Sequence, residues 1–129
     1  MNRWRDWWEQ ALRDFRQAEH STDGDYHEWA AFAAQQAAEK SIKALILSSS
    51  GEPWGHSVTG LLEALPQGSE TPQSLMEAAK RLDKHYLPAR YPNGLPAGYP
   101  GKLYTAGEAK EAIADAAQII EFCRGRLPG

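Results

Sequence analysis

The chain holds one cysteine, Cys123. A lone thiol excludes an intramolecular disulfide and a cysteine-based zinc site, and it suits the reducing cytoplasm in which the protein is expected. Cys123 falls in an apolar helical stripe and reads as a small core residue. No apolar run approaches the roughly 18 residues that mark a membrane span. The start, MNRWRDWWEQ, is too charged and too aromatic for a signal peptide. His20, His27, His56 and His85 form no His-x-x-x-His pair and have no carboxylates at ligand spacing, so no metal site is assigned. No cofactor is expected. The glycine-rich stretch GLPAGYPG has prolines where a phosphate cradle needs free N–H groups. A Gly-x-Ser-x-Gly elbow is missing as well. Nor is there an excess of positive charge. The formal net charge is -3, so the bulk field does not favour nucleic acid, while a local basic patch still could.

What is present reads as helix. At 129 residues the chain fits one domain, 1–129, and a domain of this size buries roughly two thirds of its unfolded surface. Trp4, Trp8, Ala11, Leu12, Phe15 and Ala18 recur at helical spacing and predict a first helix over about 2–19. Three tryptophans there could form a base-stacking platform, but their spacing favours core packing or a subunit interface. STDGD reads as a turn, with Asp25 as the next N-cap and Glu28 reaching back. The second helix, to about Ser49, is apolar around most of its circumference and is read as central. Its ridge is Tyr26, Ala30, Ala33, Ala37 and Ala44, and its narrow polar stripe is Gln35, Gln36, Glu39, Lys40 and Lys43. Ser57 predicts the cap of a short third helix, stopped by Pro66 and Gly68. Thr71 with Pro72 predicts the start of a fourth, and Thr105 with Glu108 is a capping box for a fifth. The last helix buries Ala109, Ala112, Ile113, Ala116, Ile120 and Cys123, leaving Phe122 in need of a second partner. The expected fold is all-α: an antiparallel up-and-down bundle of four to five helices, with a long Pro/Tyr-rich loop between the last two.

That loop, HYLPARYPNGLPAGYPGKLY, is longer than such a bundle needs. Four tyrosines and four prolines crowd around Arg90. Arg81, Lys84, His85, Arg90 and Lys102 interleave with Tyr86, Tyr91, Tyr99 and Tyr104. A guanidinium pairs phosphate bidentately and aromatic faces stack on bases, so the group suits an anionic, base-containing ligand. A structural reading has the tyrosines plug the loop onto the bundle while Arg90 satisfies a buried carbonyl or carboxylate. No carboxylate occurs between Asp83 and Glu108 to pair with it locally. Lys40, at the edge of the alanine ridge, either pairs with Glu39, Glu63 or another carboxylate or faces an anion. The candidate ligand-binding residues are Gln36, Lys40, Tyr86, Arg90, Tyr91 and Tyr104.

FAAQQAAEKSIKALIL, GHSVTGLLEAL, LDKHYLPARYPNG and YTAGEAKEAI, in this order, resemble the HEPN family (higher eukaryote and prokaryote nucleotide-binding domain). The resemblance runs from about Trp7 to Phe122 and implies a helical bundle that is commonly a homodimer. It also implies a nucleotide-binding or partner-binding module that acts with a minimal nucleotidyltransferase protein in a toxin–antitoxin-like pair. Some members resemble metal-independent endoribonucleases, whose signature is an arginine, four to six residues and a histidine at the dimer cleft. This chain departs from that signature, because Arg81 and His85 are separated by three residues and no histidine follows Arg90. Arg81 and His85 are therefore the candidate catalytic residues only for a variant site. A purely structural dimerisation protein is the third expectation. Nucleotide or RNA is the ligand implied, and no membrane contact is expected.

Overall fold

The computed structural model describes residues 2–66 and 70–129. Among them are six α-helices and no strand. They are α1 (Trp4–Asp23), α2 (His27–Ser48), α3 (Val58–Glu63), α4 (Gln73–Asp83), α5 (Pro100–Leu103) and α6 (Ala106–Arg124). Helix α2 is the axis. It packs on α1 and α6, and more lightly on α3 and α4, while α4 packs on α6. Ala30, Ala31, Ala34, Ala37, Ala38 and Ala44 are all fully buried along it. Their small side chains leave room for neighbouring backbones to come close. Ile42, Leu45, Val58, Leu61, Leu82 and Ile119 fill the core between the helices. Burial pushes the Cys123 thiol up to about 12, which keeps it protonated and inert.

Local signals decide most boundaries. Ser57 accepts a hydrogen bond from the Gly60 N–H at the start of α3. Thr105 and Glu108 close both halves of a capping box on α6. Other boundaries differ from expectation. Helix α1 runs on through Asp23, so the turn is confined to residues 24–26. Asp25 is not the cap of α2. It sits in the left-handed region at φ 65°, Tyr26 takes the cap position, and no side chain closes it. Tyr26 accordingly lies off the buried ridge, with 61% of its surface exposed. Pro72, not Thr71, holds the cap position of α4, without a side-chain bond. Gly68, expected to help end α3, lies outside the described residues.

The narrow polar stripe on α2 is largely inside. Gln35, Glu39 and Lys43 are buried, because α2 is covered on several sides and its polar residues must find partners within the protein. Phe122 finds its second partner inside the chain: it packs against the core, and the Arg126 guanidinium sits 3.8 Å above its ring. The Pro/Tyr-rich segment is ordered into a 3-10 turn at Pro92–Gly94 and the short helix α5. Buried Ala89 and Pro100 pin it to the bundle. At Gly94 a Cβ would lie 3.0 Å from the Pro88 Cα, so a side chain there would crowd the Pro88 backbone where the segment folds back on itself.

Asp83 ties two elements together. It is the last residue of α4, where its charge opposes the helix dipole, yet its carboxylate lies at the N-terminus of α3, where the dipole favours it. It accepts hydrogen bonds from the Val58 and Thr59 N–H groups at 2.6 and 3.1 Å and from the Ser57 hydroxyl at 3.0 Å. This clamp fixes the segment before α3 beside the end of α4, and so sets His56 next to Tyr86.

Candidate functional site

Arg90 leaves α4 behind by seven residues, on a run of turns that follows Asp83. Its guanidinium carbon lies 4.3 Å from the Phe32 ring centroid, 4.8 Å from that of Tyr86 and 5.0 Å from that of Tyr91. Nε donates to the Tyr86 carbonyl at 3.0 Å. Among the described residues no carboxylate lies within ion-pair distance, and the terminal nitrogens have no hydrogen-bond acceptor. Aromatic faces attract the cation without neutralising it. The result is a half-buried, oriented guanidinium whose outer N–H groups remain available.

A network that runs from the exposed His56 ring to buried Gln35, Glu39 and Lys43 supports this platform. The His56 ring stacks on Tyr86, with centroids 4.9 Å apart and planes at 15°. His56 Nδ1 faces Glu39 Oε2 at 3.3 Å, and the Lys43 ammonium lies 3.1 Å from the same oxygen. Gln35 donates to Glu39 Oε1 at 3.2 Å and to the His56 carbonyl at 3.0 Å. The buried Glu39 carboxylate is thus paired and hydrogen-bonded, as a charge in a core must be.

Phe32 also lines an open groove of about 470 Å³ between α1 and α2. Asp14 and Gln17 form its α1 wall, and Trp29, Phe32, Gln36 and Lys40 its α2 wall. The partner of Lys40 is neither Glu39 nor Glu63. Its ammonium meets Asp14 Oδ2 at 2.6 Å. Gln36 donates to Gln35 Oε1 at 2.8 Å.

Arg81 and His85 form a separate cluster where α4 meets α6. Arg81 grips the buried Asp115 with two parallel bonds, Nε to Oδ2 at 3.0 Å and Nη2 to Oδ1 at 2.9 Å. That hydrogen bonding, with the charge of Asp115, pushes the guanidinium above its ordinary value. His85 Nδ1 lies 2.8 Å from the Tyr104 hydroxyl. Burial pulls the imidazole below its ordinary value of 6.5, against the opposing pull of Glu108, Glu111 and Asp115. Burial, with Glu108 adding, pushes the Tyr104 hydroxyl up to about 12. At neutral pH both partners are therefore uncharged.

The structure brings Tyr86, Arg90 and Tyr91 together and places Gln36 and Lys40 in the adjoining groove. Tyr104 belongs instead with His85. Sequence reasoning missed Trp29 and Phe32 as members of this surface, although positions 29, 32, 36 and 40 follow helical spacing and share one face. His56 and Asp14 reach the site from elsewhere in the chain, and no local pattern marks them.

By fold, the chain is a small all-helical up-and-down bundle. The family model described as the HEPN domain matches residues 4–126, and the chain belongs to the HEPN family. It is similar to TT1696 from Thermus thermophilus, at 47% identity and a TM-score of 0.96, over 98% of this chain and 100% of that one. ST0689, described as an archaeal HEPN homologue, shares 37% identity at a TM-score of 0.84, over 99% of this chain and 100% of that one. A HEPN domain protein of Thermotoga maritima, tm0613, shares 34% identity at a TM-score of 0.76, over 93% and 95% of the two chains. No curated protein matches the chain. Among the described residues no helix is long and apolar enough to cross a membrane.

Proposed function

We propose that the chain is a nucleotide-binding HEPN module that works beside a nucleotidyltransferase partner in a toxin–antitoxin-like pair. Arg90 carries the nucleotide half of this reading: a cation held by Phe32, Tyr86 and Tyr91, with no acid of its own among the described residues. A nucleotide phosphate would take its outer N–H groups as a charge-assisted pair. The partner half rests on the family resemblance. Calorimetric titration with nucleoside monophosphates tests the first half, with Arg90→Ala as the control. Saturable binding that weakens in the variant supports it, and no binding by the wild-type protein sinks it. Co-purification with a nucleotidyltransferase protein tests the second.

The same resemblance implies a homodimer, and Trp54, Leu87, Tyr99 and Leu103 leave apolar surface exposed for one. Light scattering at tens of micromolar should then read twice the 14.3 kDa of the chain; a monomer rejects it. One observation favours a second reading, a metal-independent endoribonuclease. His85 is held uncharged and hydrogen-bonded to a hydroxyl, the state a general base requires. Arg81, however, is already committed to Asp115. RNA cleavage that survives EDTA and disappears in His85→Ala would favour this reading over the first.

A further inference from the structure

We infer that the groove between α1 and α2 is the base subsite of the Arg90 phosphate site, and that it prefers a purine with a 6-amino group, an adenine nucleotide. The inference rests on the phosphate-binding reading of Arg90. Phe32 links the two places, because it lines the groove and lies 4.3 Å beneath the Arg90 guanidinium. A molecule with a phosphate on Arg90 therefore has the groove as the adjoining surface for its ring.

The chemistry of the groove selects among rings. Trp29 is 49% exposed, and its ring meets Phe32 edge to face at 6.3 Å, so an aromatic surface faces solvent beside the cation. Stacking on such a surface accepts any base, and hydrogen bonds must choose between them. Gln36 lines the groove, and its amide nitrogen donates to Gln35 Oε1; its own Oε1 accepts no hydrogen bond among the described residues, so it is the acceptor this side chain can offer a ligand there. One turn on, Lys40 keeps N–H groups beyond the one directed at Asp14. Asp14 also neutralises that ammonium, so this end of the groove attracts a neutral ring edge rather than a second phosphate. An acceptor next to a donor complements an exocyclic amine next to a ring nitrogen. Adenine and cytosine both present that pair, and the larger purine covers more of the Trp29 and Phe32 surface. Hypoxanthine puts a carbonyl where the amine would be, and so sets two acceptors against each other. Leaving either polar group unpaired in a desolvated site weakens binding.

The test compares AMP, IMP and ribose 5-phosphate by calorimetry on the full chain, with Trp29→Ala and Gln36→Leu variants and light scattering on each. AMP should bind about tenfold tighter than IMP, as expected for one lost hydrogen bond. Gln36→Leu should bring AMP down to the level of IMP. Trp29→Ala should weaken both nucleotides about tenfold or more while sparing ribose 5-phosphate, which has no ring to stack. Equal affinity for all three ligands, lost in Arg90→Ala, overturns the base subsite and leaves the phosphate reading standing. No binding of any of them overturns both. A change of molar mass in Trp29→Ala, with nucleotide binding intact, assigns the groove to a second copy of the chain and also overturns the inference.

Discussion

Two arginines nine residues apart in one segment have opposite surroundings. Arg81 projects from a regular helix onto another helix and meets a buried carboxylate in a bidentate grip. Arg90 projects from a run of turns onto three aromatic faces and meets no acid among the described residues. The first arrangement joins two helices and uses up the cation. The second restrains a cation and leaves its charge uncompensated. Residue type alone assigns both to one basic cluster; what separates them is the partner supplied by another part of the chain. Charge that the protein neutralises internally is scaffold, and charge held by rings is available to something outside.

The sharpest way to break this comparison is a pair of alanine substitutions read by ligand binding. Arg90→Ala should weaken nucleotide binding about ten- to a hundredfold, the loss of a charge-assisted contact worth about 1.5–3 kcal/mol. Arg81→Ala should leave it unchanged. Arg90→Lys should also lose affinity, since an ammonium lacks the planar fork. If Arg81→Ala proves the more damaging to binding, the assignment of the two residues is reversed.

Urea denaturation should give the mirror image. Arg81→Ala leaves Asp115 buried without its partner and should lower the midpoint more than Arg90→Ala does. Asp115→Asn should be milder than Arg81→Ala, because it leaves no buried charge behind. Arg90→Ala gives up its contacts with the aromatic rings, about 1 kcal/mol. A larger stability loss at Arg90 than at Arg81 would make Arg90 the scaffold.

A smaller effect should appear with pH on the Arg81 side. The folded state holds His85 below its ordinary value of 6.5, so the unfolded chain binds the proton more readily. Stability should accordingly be unaffected by this group at high pH and fall as the pH drops through 6.5. Thermal melts of His85→Gln across that range should lack this part of the decline, while the nucleotide affinity of the same variant should match wild type. The last change belongs to Lys40→Ala. Its ion pair with Asp14 is partly buried, with the two side chains 23% and 17% exposed, so its removal leaves a carboxylate short of its partner and should cost about 1–3 kcal/mol. Affinity for ribose 5-phosphate should not move, because that ammonium already has its acid.

How much of this was legible in the sequence depended on the reach of each interaction. The capping box at Thr105 and Glu108 and the Ser57 cap are bonds between residues three apart, and spacing revealed them. The α2 alanines announced a central helix because their pattern already shows how closely neighbours approach. Asp25 misled because a side chain suited to capping does not by itself place the backbone in the capping conformation. Its left-handed φ takes it out of that role. The polar stripe on α2 was legible as a stripe, but the direction it faces was not. Whether Gln35, Glu39 and Lys43 face water depends on what packs against α2, and that cover comes from distant parts of the chain.

Sequence alone was enough for an all-helical bundle built around α2, for the caps of its third and last helices, and for an unusual Arg/Tyr/Pro segment before the last helix. Each follows from periodicity or from bonds within a few residues. The pairing of Lys40 with Asp14, 26 residues away, and of Arg81 with Asp115, 34 residues away, required the folded bundle. So did the meeting of Phe32 with Tyr86 and Tyr91 around Arg90. Coulomb attraction and ring stacking act over a few ångströms of space and are blind to separation along the chain. A local pattern could therefore show that Arg90 had no acid nearby in sequence, and only tertiary packing could decide that three rings would hold it instead.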